Sequence, residues 1–388
     1  MSAALRLLTT CAALCAAAVL PASAGAAGSA STQHSERLQT STARAPHIFG
    51  GTPLTSSAQA PWAVLLQRAA TTGFQTYCSA NVITPTIVLT AAHCVTDEGV
   101  PGSKPTPIAP TSFRIQAGGT AENQAGTQVI GVAGIAVHPY YRNFALGDDV
   151  AVMALASPLT FNANVAPIAV AKAGSYVKDG KPLSFFGWGL TESQAPQGLR
   201  GMTTTARTSA LCSPGIPGVQ CAFNPTVAPC GGDSGGGLIR TTKAGTPELV
   251  GLDSFGAQQP EGQPQCAAGK PDGFADLTQP ELNRFVGAVL AGKPSKPPVA
   301  PRAKRRPTVK QVSAFSTRLR CSSAGWSGKP KRTTVFAYES NRKVIQRGRS
   351  TTLTVTSKRR GKFIYCASYA SNKGGRAAVE SRNARRIG

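Results

Sequence analysis

From Ile48 to Phe255 the chain repeats one pattern: a short run of β-branched and apolar residues, then a cluster of turn-forming residues. The runs are Trp62 to Gln67, Asn81 to Leu89, Val129 to Val137, Val150 to Leu155 and Leu249 to Phe255. Runs this short, separated by chain-reversing residues, predict antiparallel strands closed into a barrel or sandwich rather than a helical bundle. The 41 Gly and 29 Pro fit such a loop-rich, all-β chain. One stretch departs from the pattern. At Gln279 to Ala291, Leu282, Phe285, Val286 and Leu290 approximate a 3.6-residue period before Gly292, which predicts a helix closing the first folded unit.

At 388 residues the chain exceeds what one core usually organises. Residues 1–24 read as a secretory signal: Arg6, then the apolar run Leu7 to Leu20, then Ala22-Ser23-Ala24 as a cleavage site. That run is too short to span a membrane, so a released or surface-held protein is expected. Residues 25–47 are rich in Ala, Ser and Thr without periodicity and read as a propeptide. Residues 48–292 form the first domain. Residues 293–307 mix Pro with Lys and Arg as a charge-swollen linker. Residues 308–388 form a second, small β domain with alternating runs at Thr351 to Thr356 and Phe363 to Cys366.

Charge divides the chain the same way. Residues 293–388 hold 25 Lys/Arg against Glu339 and Glu380, a balance of +23, whereas residues 48–292 hold 13 Lys/Arg against 14 Asp/Glu, a balance of −1. Such asymmetry marks units with different tasks. Of ten cysteines, Cys11 and Cys15 would leave with the signal, and the even remainder predicts disulfides in an oxidising compartment. Sequence alone permits about 105 pairings of eight cysteines.

Three segments carry the residue types that peptide hydrolysis needs: a nucleophile, a base, an orienting acid and oxyanion donors. Cys230-Gly231-Gly232-Asp233-Ser234-Gly235-Gly236 sets a serine among glycines, which allow a tight turn with exposed N–H groups. Thr90-Ala91-Ala92-His93-Cys94 ends an apolar run that would deliver an imidazole, able to act as a base near neutral pH. Asp148-Asp149 precedes the alternating Val150 to Leu155 and would press an acid against the core. Each segment alone also fits an ordinary turn. A glycine-rich serine loop is a common structural device, a histidine beside a cysteine is often structural, and either aspartate could be a surface turn residue.

In this order, the three segments resemble the chymotrypsin-like (trypsin-like) serine proteases from Ile48 to about Ala291. The likeness also rests on Ile48-Phe49-Gly50-Gly51, Pro61-Trp62, His138-Pro139-Tyr140, Gly187-Trp188-Gly189 and Ser254-Phe255-Gly256. The resemblance implies a double six-stranded antiparallel β-barrel with a C-terminal helix. It also implies Ser234 as nucleophile, His93 as base, and Asp149, which directly precedes its strand, as the orienting acid rather than Asp148. The N–H groups of Gly232 and Ser234 would form the oxyanion hole, Ser254 would support Asp149, and the Ser254, Phe255 and Gly256 backbone would pair with substrate. By the same resemblance Asp233 would receive the α-ammonium of Ile48, freed from a zymogen by a cut after His47, or after Arg44 with trimming. Ala228 would floor the primary pocket, favouring apolar or small side chains over strict Lys/Arg, and Asp272 would stand at its back wall, where an acid either narrows the pocket or attracts a basic side chain. The implied disulfides are Cys78–Cys94, Cys212–Cys221 and Cys230–Cys266, leaving Cys321 and Cys366 for the second domain.

That second domain resembles bacterial immunoglobulin-like repeats, on Cys321, Trp326 and Cys366 among alternating strands. Its small β-sandwich would offer a cationic surface to an anionic cell-wall polymer or other polyanion, and no motif points to sequence-specific nucleic-acid reading. No cofactor is expected, no calcium or zinc ligand cluster is legible, and a monomer is expected. The rival expectation is a binding protein whose protease-like part is silent.

Overall fold

In the computed structural model, the described residues are 48 and 50–386 without 98–104, 145–146, 190–197, 210, 213–215, 257–267, 294–298, 313–317, 323, 340–343, 349–351, 355–360 and 382. The secretory signal and propeptide expected in residues 1–47 lie outside them, as does Cys266.

Six strands form a first closed antiparallel barrel: β1 (Ala63–Ala70), β2 (Gly73–Thr84), β3 (Ile87–Thr90), β4 (Phe113–Ala117), β5 (Gln128–Val137) and β6 (Ala151–Leu155). Neighbours run β1-β2-β3-β6-β5-β4, and β4 returns to β1. The apolar run Asn81 to Leu89 is not one strand. Pro85 and Thr86 turn it back, so Val82 pairs with Val88, and the Thr84 hydroxyl accepts the Thr86 N–H at 3.3 Å. Proline cannot donate to a ladder, which favours reversal there over continuation.

The second barrel comprises β7 (Pro182–Gly187), β8 (Arg200–Arg207), β9 (Val219–Phe223), β10 (Gly237–Thr241), β11 (Pro247–Phe255) and β12 (Asp272–Asp276). Its order is β8-β7-β10-β11-β12-β9, closed by β9 on β8. Both barrels are antiparallel, so inward positions alternate with outward ones; β7 reads outward Pro182, buried Leu183, then buried Phe185. The helix α1 (Pro280–Leu290) follows, starting with Pro where its missing N–H costs nothing, and buries Leu282, Phe285 and Val286 against residues of both barrels. Truncating Leu282, which is fully buried, would cost about 2–5 kcal/mol.

Beyond α1 the chain is again strands. β13 (Arg302–Ala303) pairs with β16 (Trp326–Ser327). β14 (Val309–Gln311), β15 (Arg318–Cys321) and β19 (Thr352–Thr354) form one sheet. β17 (Arg332–Glu339), β18 (Val344–Gly348), β20 (Phe363–Asn372), β21 (Gly375–Glu380) and β22 (Arg385–Arg386) form another. Val309, Leu319 and Cys321 of the first sheet pack on Val335, Ala337, Ile364 and Cys366 of the second, and a disulfide joins Cys321 to Cys366. Trp326 lies outside that core, on the two-residue strand facing Ala303. Within residues 293–307, Ala300 is fully buried and Arg302 and Ala303 are in register with Trp326 and Ser327.

Candidate active site

β3 ends at Thr90, and one 3₁₀ turn, Ala92–Val95, carries His93 to the rim of the first barrel. A disulfide between Cys94 in this turn and Cys78 in β2 fixes it. Antiparallel register places Thr90 of β3 opposite Ala151 of β6, so the residues just before β6 arrive beside the turn. Asp149, fully buried, accepts the His93 N–H at 2.9 Å on Oδ1, His93 Nδ1 at 2.7 Å on Oδ2, and the Ser254 hydroxyl at 2.6 Å on Oδ2. Three donors offset the cost of burying the carboxylate, and the bond at Nδ1 holds the ring. Asp148 turns the other way. Its backbone is left-handed, φ 62°, and its carboxylate forms an ion pair with Arg302.

The serine loop comes from the second barrel and is fastened to β2 of the first. The Ser79 N–H donates to the Ser234 carbonyl at 2.8 Å, the Ser79 hydroxyl to the Gly232 carbonyl at 3.0 Å, and Asn81 Nδ2 to the Gly235 carbonyl at 2.9 Å. One sulfur, Cys94 Sγ, lies 3.8 Å from His93 Nε2 and 3.6 Å from the Ser234 carbonyl oxygen, so the two segments meet at the seam between barrels. Gly235 has φ 80°, and a Cβ there would strike the Thr90 hydroxyl and the Ser79 carbonyl. No side-chain-bearing residue fits that place.

Asp233 points inward from the same loop and is fully buried. It accepts the Cys230 N–H at 2.9 Å and the Gly189 N–H at 2.8 Å, and a backbone hydrogen bond from Ile48, itself fully buried. Burial pushes this carboxyl up to about 7 against the pull of those donors. Gly187 and Gly189 have their reason here: a Cβ on either would collide with the Asp233 carboxylate.

The trypsin family model matches residues 48–279, more than half of the chain. The chain belongs to the trypsin family. It is 26% identical over 218 residues to chymotrypsin-C of Bos taurus, covering 51% of this chain and 74% of that protein. It is 29% identical over 219 residues to trypsin alpha-4 of Lucilia cuprina, covering 54% and 77%. It is 30% identical over 207 residues to the suppressor of tumorigenicity 14 protein homolog of Bos taurus, covering 50% and 24%. This trypsin-family chain is therefore a chymotrypsin-like serine endopeptidase, and proteins or peptides are its class of substrate.

Three of the implied disulfides are present in full: Cys78–Cys94, Cys212–Cys221 and Cys321–Cys366. Cys230 is disulfide-bonded as well, while Cys266 lies outside the described residues. Such bridges suit an oxidising compartment and contribute about 2–4 kcal/mol each. Among the described residues no helix is long and apolar enough to cross a membrane.

Of the residues expected to bound a primary pocket, Ala228 is buried, and so is Asp272, whose carboxyl burial pushes up to about 8. Gly256 stands close by, since a Cβ on it would come 3.7 Å from Asp272 Oδ1. Sequence reading missed a second acid there. Asp253, one position before Ser254, is buried with Oδ1 unpaired among the described residues; burial, then Asp233, Asp272 and Asp149, raise its carboxyl well above the usual range. Phe144 was missed too. Its exposed ring lies 6.0 Å from His93 and 6.4 Å from Phe255, an apolar wall beside the imidazole. Neither carries a signal in sequence, because one sits inside a strand and the other in a loop. The cross-links from Ser79 and Asn81 are equally silent there.

Proposed function

We propose that Ser234 is the nucleophile, with His93 taking its proton and Asp149 orienting the imidazole, and that the N–H groups of Gly232 and Ser234 hold the tetrahedral oxyanion. The observation that carries this reading is the buried Asp149 bridging His93 and the Ser254 hydroxyl, with the serine loop fastened against the same turn. Ser234 Oγ attacks the scissile carbonyl while its proton passes to His93 Nε2. The imidazolium then protonates the leaving amine, and water releases the acyl group by the reverse route. Gly232, with φ 89°, keeps the backbone turn that aims its N–H at the developing charge. The Ser254, Phe255 and Gly256 backbone would pair with substrate above a pocket bounded by Ala228 and Asp272.

The enzyme is a secreted zymogen in this reading. In the uncut chain the Ile48 nitrogen is a neutral amide; cleavage after His47, or after Arg44 with trimming, makes it an ammonium. That converts its hydrogen bond to Asp233 into a buried ion pair, which draws the carboxyl down from about 7 and fixes the serine loop. The basic C-terminal unit, an immunoglobulin-like domain in this reading, holds the enzyme to an anionic cell-wall polymer or similar polyanion. The 25 Lys/Arg against two acids in residues 293–388 support this, with Arg318, Arg320, Arg385 and Arg386 exposed on strands.

The test is labelling with a serine-directed phosphonate of two forms, one beginning at Ile48 and one uncut. We expect stoichiometric adduct on Ser234 in the first and little in the second. No adduct on Ser234 in either would remove the mechanism, and equal labelling would remove the zymogen.

A further inference from the structure

Behind the Asp149 carboxylate lies a second set of polar groups that hydrolysis does not use. His138, Asp148 and Glu281 are all fully buried. They come from the end of β5, the turn before β6 and the first turn of α1. One ligand-type atom from each lies within 4.8 Å of the others. Neither ring nitrogen of His138 has a hydrogen-bond partner among the described residues, and the same holds for Asp148 Oδ1 and Glu281 Oε1. Unpaired polar atoms at such depth are costly, by about 1–3 kcal/mol each, and four in one place call for a shared partner.

The remaining carboxylate oxygens are occupied, both by the segment that begins the basic unit. Arg302 pairs with Asp148 Oδ2, and the Ala300 N–H donates to Glu281 Oε2 at 2.9 Å. Each carboxylate is thus anchored by one oxygen and leaves the other unpaired among the described residues, as outer partners orient metal ligands. The rings of Tyr140 and Phe285 lie 5.6 and 5.0 Å from the His138 ring.

We propose that His138, Asp148 and Glu281 bind one divalent transition-metal ion, zinc by its donor set, and that this ion fastens the basic unit to the back of the protease barrels. One imidazole and two carboxylates are a zinc-type set, with the fourth position left to water. Asp148 and Glu281 together have one paired guanidinium, Arg302, while Arg142 acts on Asp148 through space. The other grouping of metal-type residues, Cys78, His93 and Cys94, offers His93 alone because both sulfurs are in a disulfide. Metal binding here does not depend on the roles proposed for Ser234 and His93.

The test uses the full chain, stripped with a chelator, dialysed and titrated with zinc chloride while bound metal and the thermal midpoint are followed. We expect one zinc per chain and a midpoint that rises by several degrees. Glu281→Gln keeps an acceptor for Ala300 and should still fold, shown by an unchanged midpoint without metal. It should weaken zinc by at least about 100-fold, beyond the 10–100-fold typical of losing an outer partner. Cobalt(II) in place of zinc should give a visible d–d band without a thiolate charge-transfer band, and His138→Ala should remove it. No zinc beyond trace in the wild-type chain would overturn the proposal. Uptake that survives Glu281→Gln and His138→Ala but is lost in His93→Ala would overturn it too.

Discussion

The barrels and the basic unit bury polar groups in opposite ways. The barrel part, residues 48–292, is near neutral in charge yet buries Asp148, Asp149, Asp233, Asp253, Asp272 and Asp276, with Glu281 on α1. Residues 293–388 carry a balance of +23 and, among those described, neither Lys nor Arg is buried completely. Two of their arginines reach back to the acidic side. Arg302 pairs with Asp148, and the Arg376 guanidinium lies 3.5 Å from the centre of the Tyr176 ring, close enough to act on buried Asp276. Gln279 exchanges hydrogen bonds with the Arg376 backbone at 2.8 and 2.9 Å, and the Glu281 N–H donates to the Gly374 carbonyl at 2.9 Å. The difference teaches that charge in this molecule is sorted by depth: acids are concentrated inside the barrel part, while among the described residues no cation of the C-terminal strands is buried completely.

The comparison breaks most sharply if chemistry is not confined to the barrels. Ser234→Ala should lower kcat by roughly a millionfold, by analogy with subtilisin in which the serine was removed, while leaving polyanion binding by the full chain intact. A steady-state assay on a peptide substrate reads the first, and retention on an anionic resin reads the second. Next in size is the salt response of the basic unit. With six to ten phosphate-like contacts, affinity for a polyanion should fall about 10³–10⁵-fold between roughly 50 and 200 mM salt, whereas proteolysis of a neutral peptide should stay flat. Salt-insensitive binding would remove the electrostatic account.

Arg302→Met leaves buried Asp148 without its cation and should cost up to about 3–5 kcal/mol, read by urea unfolding. If stability is unchanged, the docking of the two regions is not electrostatic.

Recovery from the sequence was uneven, and the reason is physical. His93 and Asp149 stand at strand ends beside turns, where a short motif fixes both residue type and direction, and the predicted helix at Gln279 to Ala291 matches Pro280–Leu290 within a residue or two. Single runs misled where one proline reversed the chain, at Pro85. His138, Asp148, Glu281 and Arg302 were not legible as a group because four separate segments deliver them and only closure of the barrel brings them together. Asp148 depends further on one left-handed φ that points it away from Asp149. Trp326 belongs to the Cys321, Trp326, Cys366 likeness yet lies outside the core that the disulfide crosses, because order along the chain says nothing of the face on which a side chain emerges.

The smallest expected effect concerns the pocket acids. Asp272, raised to about 8 by burial, is neutral at about pH 6 and ionised at about pH 9, so apolar side chains should be preferred at the lower pH. Acceptance of Arg over Leu, as a kcat/KM ratio, should rise about tenfold between these values and stay level in Asp272→Asn. The sign for stability is opposite. A carboxyl whose folded value is raised stabilises fully below about 4 and loses that contribution as pH climbs through about 8, so Asp272→Asn should gain thermal stability over the wild type on the alkaline side.

His93, Asp149 and Ser234, delivered by two barrels, are proposed to act as one device. Measuring kcat for Ser234→Ala, His93→Ala and the double variant, each begun at Ile48, tests it most directly. The account predicts that all three fall to the same residual rate, because removing either member disables the other. Losses that multiply in the double variant, or a His93→Ala enzyme that keeps most of its activity, would contradict it.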